Sequence, residues 1–466
     1  SKLYRSIGSK EMDTVDKYHA IKVNREKCIG CTHCMKACPT EAIRVKGGVA
    51  VINADRCVDC GNCLRACPVD AFYVDHDSLE QLSNYKYRVA LFPAVMVGQF
   101  AETISEGMIY EALLKLGFTH IFEVEQPVEV LIHEIRQNVD LAKQKPLISS
   151  FCPAIVRLIQ SKYPSLVEYI VPVKAPHDLA ACYAIEMLKR QGISRDETGI
   201  FYVSPCSAKM AAVKRPMGED KSVVDGLINM SRLYNRIMAV IDKKEQANTS
   251  DLRKKLTLDG ILWSLPRGEA RHFKGESMAV DGIHNVVKIL ERMENGEVPQ
   301  LDFLELKSCH QGCAGGILLT GNRFLTVERL QKRSKRYPVA IRSVEKENNY
   351  FYLRQKVKAD PIAPGYVFSL DADREKALEK LRKADRILCQ LPAIDCGACG
   401  APNCHALAED MVQGSAKMTD CIFLQNRYMN EKKITIDKAK KNLENTWGKN
   451  RFDADCNKKG GRNEGF

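Results

Sequence analysis

The sequence predicts an α/β domain flanked by two small cysteine-rich units. Between about residues 88 and 335, apolar runs rich in β-branched residues alternate with segments of helical periodicity, a pattern typical of an α/β sheet. The 466 residues include nineteen cysteines, mostly in Cys-x-x-Cys groupings. In a chain of this length such groupings indicate metal ligands rather than disulfides. We therefore expect a multidomain metalloprotein in a reducing cytoplasm.

Composition argues against membrane and nucleic-acid partners. The sequence has no run of eighteen apolar residues, and its first residues lack the apolar stretch of a secretory signal. The formal net charge of +12 counts every cysteine as neutral, whereas ligating cysteines are thiolates. An iron–sulfur cube bound by four thiolates has a net charge of roughly −2, so four such cubes would lower the net charge of the protein by about 8. We predict a cytoplasmic protein that binds neither nucleic acid nor membrane.

After a polar tail (1–20), residues 21–78 contain an internal repeat. Each copy reads Cys-x2-Cys-x2-Cys-x3-Cys-Pro, the spacing of bacterial two-cluster ferredoxins, in which the fourth cysteine of each run ligates the other cluster. One predicted [4Fe–4S] cluster therefore uses Cys28, Cys31, Cys34 and Cys67, and the other uses Cys57, Cys60, Cys63 and Cys38. Zinc is the less favoured alternative. His33, between two ligands, is predicted to be an exposed side chain and not a ligand.

The central region, 88–335, is predicted to alternate strands and helices. The predicted strands are Val89–Phe92, His120–Val124, Pro146–Ser149, Gly199–Val203 and Phe303–Leu306. The predicted helices include Ile109–Leu116, Pro127–Val139, Ala154–Lys162, His177–Arg190 and Met230–Ile241.

Several distinctive residues come directly after these predicted strands. Pro93, Cys152, Cys206 and Cys309 each follow one, and ligands of open α/β sheets bind outside the carboxyl ends of the strands. Cys313 follows Cys309 by four residues, and the glycines at 312, 315 and 316 allow a sharp turn close to an inorganic core. Three distant segments thus supply four thiolates, enough for one iron–sulfur cube.

These three segments, Ser150-Phe151-Cys152-Pro153, Pro205-Cys206-Ser207-Ala208-Lys209 and residues 305–316, resemble the signatures of [FeFe]-hydrogenases. The resemblance covers roughly 21–425. It implies that Cys152, Cys206, Cys309 and Cys313 hold a [4Fe–4S] cube, and that Cys313 bridges to a two-iron unit with CO, cyanide and a dithiolate amine. Together these form the H-cluster. Lys209 would bond a cyanide, and the Pro93 loop would line it.

The sequence departs from this family at several positions. Phe151 replaces a cysteine that relays protons, Lys307 replaces a methionine while Glu305 is kept, and Ser204 stands where another methionine is usual. Because phenylalanine cannot relay a proton, turnover should be slow or rerouted. His177, in a loop resembling one beside the dithiolate, is a candidate proton carrier, although a structural role is favoured.

The remainder is predicted as a connector (336–385), a cysteine module (386–425) and a basic tail (426–466). The connector ends in a helix, Asp373–Arg386. The module's Cys396, Cys399, Cys404 and Cys421 resemble a small [4Fe–4S] unit of carbon monoxide and acetyl-CoA enzymes, with zinc as the alternative. The tail contains a predicted helix, Lys432–Asn445, interpreted as a solvated face or a basic docking helix. Cys182 and Cys389 are predicted to be buried and apolar, and Cys456 is unassigned.

The departures and the added module resemble the sensory branch of the family, in its form without a PAS domain. Three hypotheses follow: a reversible H2 enzyme, a slow H2 sensor on the same site, and a non-catalytic iron–sulfur protein that lacks the diiron unit. Expected partners are H2 and protons, a redox partner such as ferredoxin or a signalling protein, and maturation proteins.

Overall fold

The computed structural model describes residues 18–241, 256–339, 344–365, 370–371, 373–449 and 451. The N-terminal domain is built from two copies of one unit, a cysteine loop followed by a single helical turn. Its elements are β1 (Ile21–Val23), α1 (His33–Ala37), β2 (Ile43–Lys46), β3 (Val49–Ile52), α2 (Asn62–Ala66) and β4 (Phe72–Val74). Strand β1 pairs with β4 and β2 with β3, both antiparallel.

The central domain contains two parallel sheets. The strands are β5 (Tyr87–Phe92), β6 (His120–Glu123), β7 (Leu147–Ile148), β8 (Thr198–Ser204), β9 (Gly226–Asn229), β10 (Ser277–Asp281) and β11 (Phe303–Lys307). One sheet has the order β6-β5-β8-β9 and the other β10-β11-β7. All seven residues of β8 are buried, as expected for a central parallel strand that is covered on both faces.

Helices cover these sheets. They are α3 (Ala94–Val97), α4 (Glu106–Lys115), α5 (Val128–Leu141), α6 (Pro153–Lys162), α7 (Pro176–Arg190), α8 (Ser207–Lys214), α9 (Met230–Val240), α10 (Leu258–Leu262), α11 (Ile283–Glu294) and α12 (Arg323–Ser334). The predicted strands and helices all occur, with ends shifted by one to a few residues. The α/β architecture is confirmed, but the strands form two sheets because β7 pairs with β11.

The last helices pack against two different parts of the protein. They are α13 (Val344–Lys356), α14 (Arg374–Leu388), α15 (Cys404–Val412), α16 (Ile422–Asn430) and α17 (Ile436–Trp447). Helix α13 packs on α5 and α7, whereas α14 packs along α15. Helix α17 begins later than the sequence suggests, because Thr435 caps it by accepting a hydrogen bond from the Lys438 amide.

The C-terminal module docks on the N-terminal domain. The Arg44 guanidinium binds both carboxylate oxygens of Asp410, at 2.5 and 3.0 Å. The backbone continues this interface, since the Val45 amide donates to Gly400 O at 2.9 Å and Gly48 donates to Thr446 O at 2.9 Å. The module therefore lies on the outer edge of β2 and β3.

Two remaining cysteines differ from expectation. Cys389 is exposed and Cys182 is only half-buried, so the prediction that both are buried is wrong. Cys389 is the residue that ends α14 at its C-cap. Cys456 lies outside the described residues. Within the part of the chain that the structure describes, no helix is long and apolar enough to cross a bilayer.

Candidate metal centres

The central site lies at the carboxyl ends of the parallel strands. Cys206 follows β8 and caps α8, Cys152 caps α6 ahead of Pro153, and Cys309 follows β11. Pro93 comes directly after β5 and precedes α3. Each strand therefore delivers its residue to one crevice, as parallel topology requires.

Two glycines let the last cysteine loop close on this crevice. Gly312 has a φ of +59°, and a Cβ there would lie 2.4 Å from Ser264 O. A Cβ on Gly315 would lie 2.0 Å from His310 O. Larger residues would push the Cys309–Cys313 loop outward, away from the other thiols.

The four predicted thiols of the central site influence one another. Burial raises the pKa of Cys309 to about 12, and the Cys152 and Cys313 thiols add to the shift. Burial likewise raises the pKa of Cys206, with Cys309 and Cys313 contributing. Such a set of thiols fits an iron–sulfur cube, because the metal would replace the protons that burial retains. The structure therefore brings together all four residues that the sequence assigned to this site.

Lys209 is buried beside these thiols. Its Nζ lies 3.6 Å from Cys313 Sγ, and the residue is 7% exposed. Burial alone would lower the pKa of Lys209, but Cys313, Tyr202 and Cys206 raise it above its usual value. An ammonium held charged in this setting fits an anionic group in the crevice.

Phe151 contacts two buried ammonium groups. Its ring centroid lies 4.1 Å from Lys209 Nζ and 5.1 Å from Lys307 Nζ, distances typical of cation–π contacts. The Trp263 indole also lies perpendicular to this ring, with centroids 6.3 Å apart. Phe151 thus fills the position with an aromatic contact and offers no exchangeable proton.

Three oxygens surround the Lys307 ammonium. Its Nζ pairs with Glu305 Oε1 at 2.7 Å and donates to the Trp263 and Leu265 carbonyls at 3.1 and 2.6 Å. The other Glu305 oxygen accepts from the Glu269 and Ala270 amides. These bonds keep the charged side chain that replaces a methionine compatible with a buried site.

Two buried carboxyl groups near the centre were not predicted from the sequence. Burial, followed by repulsion from Glu305, raises the pKa of Glu269 to about 7, and the Ser149 hydroxyl donates to it at 2.6 Å. Burial raises the pKa of Glu125 to about 8, and this carboxyl accepts from the Ala94 amide in the Pro93 loop. No motif marks either residue. Both can hold a proton near neutral pH.

His177 and Ser204 have local partners. The His177 ring stacks on Tyr202 at 4.7 Å, and burial lowers its pKa, so the imidazole is neutral near pH 7. Ser204 donates to the Cys206 carbonyl at 2.8 Å within the turn that presents that cysteine. The role of His177 as a proton carrier stays a prediction.

The N-terminal thiols form the crossed sets that the spacing suggests. Burial raises the pKa of Cys34 to about 12, with further contributions from Cys28, Cys31 and Cys67. The pKa of Cys63 is raised by burial and then by the Cys60, Cys57 and Cys38 thiols. The fourth cysteine of each run thus lies with the first three of the other, and the ligand assignment stays a prediction consistent with this placement.

The second of these sets touches the central site. Burial raises the pKa of Cys60 to about 12, and both Cys38 and Cys309 add to it. The Arg65 guanidinium donates to the Gly315 carbonyl, and the Ser207 hydroxyl donates to Asp59 O at 2.6 Å. The cysteine loops of the two centres therefore meet directly.

The four module cysteines line one cavity. Its walls include Cys396, Cys399, Cys404 and Cys421 together with Asp395. Burial raises the pKa of Cys399 to about 11, with Cys421 and Cys396 contributing, and Asp395 accepts from the Cys404 amide at 2.7 Å. Cys396 is exposed. Four thiols around one cavity fit a single cluster.

Comparison with known proteins identifies three families along the chain. Residues 86–258 match the family described as "Iron only hydrogenase large subunit, C-terminal domain". Residues 11–71 match "4Fe-4S dicluster domain", and residues 391–423 match "Putative Fe-S cluster".

Individual relatives agree with these matches. The chain is 32% identical over 228 residues to the periplasmic [Fe] hydrogenase large subunit of Nitratidesulfovibrio vulgaris, covering 43% of this chain and 53% of that protein. It is 24% identical over 258 residues to iron hydrogenase 1 of Clostridium pasteurianum, covering 45% of each. The chain spans about half the length of the curated relatives it matches. A solved variant of [FeFe]-hydrogenase HydA1 from Chlamydomonas reinhardtii is 15% identical, with a TM-score of 0.45 over 62% of this chain and 98% of that one.

The chain is therefore [FeFe]-hydrogenase-like. It combines a hydrogenase-like α/β domain with an N-terminal 4Fe–4S dicluster domain and a C-terminal Fe–S module, and its cofactors are iron–sulfur clusters.

Proposed function

We propose that this protein interconverts H2 with two protons and two electrons at a diiron H-cluster, slowly enough to suit H2 sensing. Cys152, Cys206, Cys309 and Cys313 would hold the cube, and Cys313 would bridge to the diiron unit. That unit would supply the metal at which H2 is made or split and the amine that exchanges a proton. Three further [4Fe–4S] clusters would carry electrons.

One observation carries the proposal: Lys209, a buried ammonium, faces Cys313 Sγ at 3.6 Å. A charge in this position needs an anionic partner larger than one sulfur, since a buried and poorly paired ammonium costs several kcal/mol. A cyanide ligand of a diiron unit meets that need. An anionic iron–sulfur cube on Cys313 would attract the ammonium, whereas a cyanide ligand would also give it a direct hydrogen-bond acceptor.

Slow turnover follows from the residues around Phe151. Its ring contacts both Lys209 and Lys307 and cannot accept a proton. Exchangeable groups on this side, including Lys307 and Glu269, are tied into hydrogen bonds with Glu305 and Ser149. Proton delivery, and not the metal chemistry, would then limit the rate.

Infrared spectroscopy of protein matured with the diiron cofactor tests the proposal. We expect bands of metal-bound CO and CN−, together with about 18 iron atoms per chain. Lys209→Gln removes the charge at similar length and should weaken the bands, whereas Lys189→Gln on the exposed end of α7 should not. Filled cubes without any CO or CN− band would favour the alternative, a non-catalytic iron–sulfur electron-transfer or assembly protein.

The variant Phe151→Cys tests the slow step. With equal H-cluster occupancy, it should raise H2 evolution and oxidation, because a thiol restores an exchangeable proton near the amine. Equal rates at every pH would reject the interrupted relay.

A further inference from the structure

The C-terminal module contacts the first of the two N-terminal thiol sets. Met35, the neighbour of Cys34, is 1% exposed, and its Cε lies 3.0 Å from where a Cβ of Gly397 would stand. Gly397 lies between Cys396 and Cys399. The end of α17 closes the same contact, since Trp447 packs against the cysteine cluster of the N-terminal domain and donates to Ala398 O at 3.0 Å.

These contacts order the thiol sets along one line. The module set adjoins the Cys34 set through Met35, the Cys34 set adjoins the Cys63 set, and the Cys60 thiol adjoins Cys309 of the central site. Electron tunnelling weakens steeply with distance, so neighbouring clusters exchange electrons fastest. Clusters bound by these four sets would form one electron-transfer path that ends at the central site, with the module cluster at its outer end.

The module end of this line is open to solvent. Cys396 is exposed, and two large apolar side chains next to cluster ligands are also exposed, Ile394 at 56% and Phe423 at 45%. Phe423 and Arg427 are four residues apart on α16 and share one face of it. We call Ile394, Cys396, Phe423 and Arg427 the outer face. It combines a cofactor edge with a small apolar patch, the composition of a transient docking surface.

The rim of this face is positively charged. Glu431 alone pairs with both Arg427, at 2.8 Å, and Lys433, at 2.6 Å, so one positive charge is left over. Lys432, beside Lys433, is also exposed, while Asp395 between Ile394 and Cys396 adds one exposed carboxylate, so the net charge of the rim stays positive. A negatively charged partner would be attracted to this rim.

We propose that an acidic one-electron carrier protein docks on the outer face and exchanges electrons with the C-terminal cluster, which serves as the external terminal of a single electron chain. In each encounter one electron leaves the reduced carrier and enters the cluster, or returns by the reverse step, and no proton or bond is transferred. This inference rests on the proposed function, and it names the partner class and its entry point.

Binding and electron transfer to protein without the diiron unit test the proposal separately from hydrogenase activity. The probe is a negatively charged bacterial ferredoxin with two [4Fe–4S] clusters, and a basic cytochrome c is its counterpart. The double charge reversal Arg427→Glu with Lys433→Glu should weaken ferredoxin binding about tenfold or more at low salt and reduce its salt dependence. The matched reversal of Lys143 and Lys189, exposed lysines of the central domain, should change neither.

Electron entry is followed by the EPR signals of the reduced clusters after mixing with reduced ferredoxin. Phe423→Ala and the outer-face reversal should slow this reduction about tenfold while leaving reduction by methyl viologen unchanged. Cys404→Ser, which removes a ligand of the module cluster, should abolish reduction by ferredoxin of the clusters behind it, with viologen reduction kept.

Wild-type binding and reduction rates in the outer-face variants would overturn the proposal, as would equal binding of cytochrome c. Tight binding of single-stranded RNA at physiological salt, with no binding of ferredoxin, would overturn it in favour of a nucleic-acid surface. Absence of CO and CN− bands in matured protein would reject the hydrogenase function alone, since these measurements use no diiron unit.

Discussion

The two halves of the N-terminal repeat share a backbone but face different neighbours. Thr32 and Gly61 occupy the same left-handed position, with φ of 70° and 82°, and Cys38 and Cys67 have the same φ of −81°. Position 29 is an exposed isoleucine, whereas its equivalent, Val58, is 3% exposed against the central domain. The cysteines set the cluster geometry, and the residues between them decide which part of the protein each cluster meets.

Asp59 makes the sharpest difference between the halves. It stands where the first half has Gly30, and it is fully buried. Its carboxylate pairs with Arg157 Nη1 at 2.9 Å and His19 Nδ1 at 3.0 Å, and it accepts from the Ala20 amide. One side chain thus fixes the second cysteine loop to helix α6, which begins at the central site.

Removing this carboxylate should have the largest effect. Asp59→Ala leaves the Arg157 guanidinium buried without its anion, so we expect a loss of about 3–5 kcal/mol in the free energy of unfolding. Denaturant titration under anaerobic conditions measures it, with the exposed Asp196→Ala as control. A loss below about 1 kcal/mol would mean that water or another anion replaces the pair.

The pH dependence of stability should separate the surroundings of the two halves. The second half packs on a domain that buries Glu269, whose pKa is raised from 4.5 to about 7 by burial and by Glu305. A carboxyl with a raised folded pKa stabilises the fold below its unfolded pKa, and that contribution is lost as pH rises through about 7. The contact between the N-terminal domain and the module instead uses carboxylates that are already paired with Arg44 and Arg56.

We therefore expect the free energy of unfolding of the central domain to fall by up to about 3 kcal/mol between pH 4.5 and 8. Glu269→Gln should flatten this slope, and Glu297→Gln, on an exposed turn, should not. An unchanged slope in Glu269→Gln would assign it to other groups.

Gly61 shows why the second half needs a glycine where the first has Thr32. A Cβ at position 61 would lie 2.5 Å from Ile317 Cδ1. Gly61→Ala should cost roughly 1–3 kcal/mol, from this overlap and from the positive φ. Gly47→Ala is the matched control, since Gly47 also has positive φ (+59°) but nothing within 4 Å.

Adding Ile317→Ala to Gly61→Ala removes the overlap and leaves only the backbone strain. The double variant should then recover part of the loss relative to Ile317→Ala alone, as a double-mutant cycle would show. Strict additivity would indicate that the loop shifts to avoid the contact.

The sequence predicted what is local and periodic. The crossed cysteine sets follow from spacing alone, and the buried strands such as β8 are continuous apolar runs that need no partner to be recognised. Strand β10 was missed because all five of its residues are half-buried, without an apolar run. The left-handed turn at Gln311, with a φ of 66°, was likewise not predicted, because the cysteine motif does not specify it.

Long-range placement could not be predicted. Arg44 and Asp410 are 366 residues apart, and nothing in either neighbourhood names the other. Glu269 and Glu125 are ordinary acidic residues until the fold buries them. Asp59 was not predicted either, because its partner Arg157 lies 98 residues away in the sequence.

The smallest expected effect concerns Met35, whose equivalent in the second half is Leu64. Met35 fills the contact between the Cys34 loop and Gly397 of the module, in a fully buried position. Leucine has nearly the same volume and no charge, so Met35→Leu should change the free energy of unfolding by less than about 1.5 kcal/mol. The reciprocal swap Leu64→Met, at the half-buried equivalent position, is the control.

Amide hydrogen exchange gives the decisive measurement, because the Val45 and Gly48 amides donate across this interface to Gly400 and Thr446. Both amides should stay protected in Met35→Leu and become exposed to exchange in Met35→Ala, which leaves a cavity where the two units meet. If protection survives in Met35→Ala, the Arg44–Asp410 pair and the backbone bonds of α17 are what stabilise this contact. Met35 would then only fill the space between the two units.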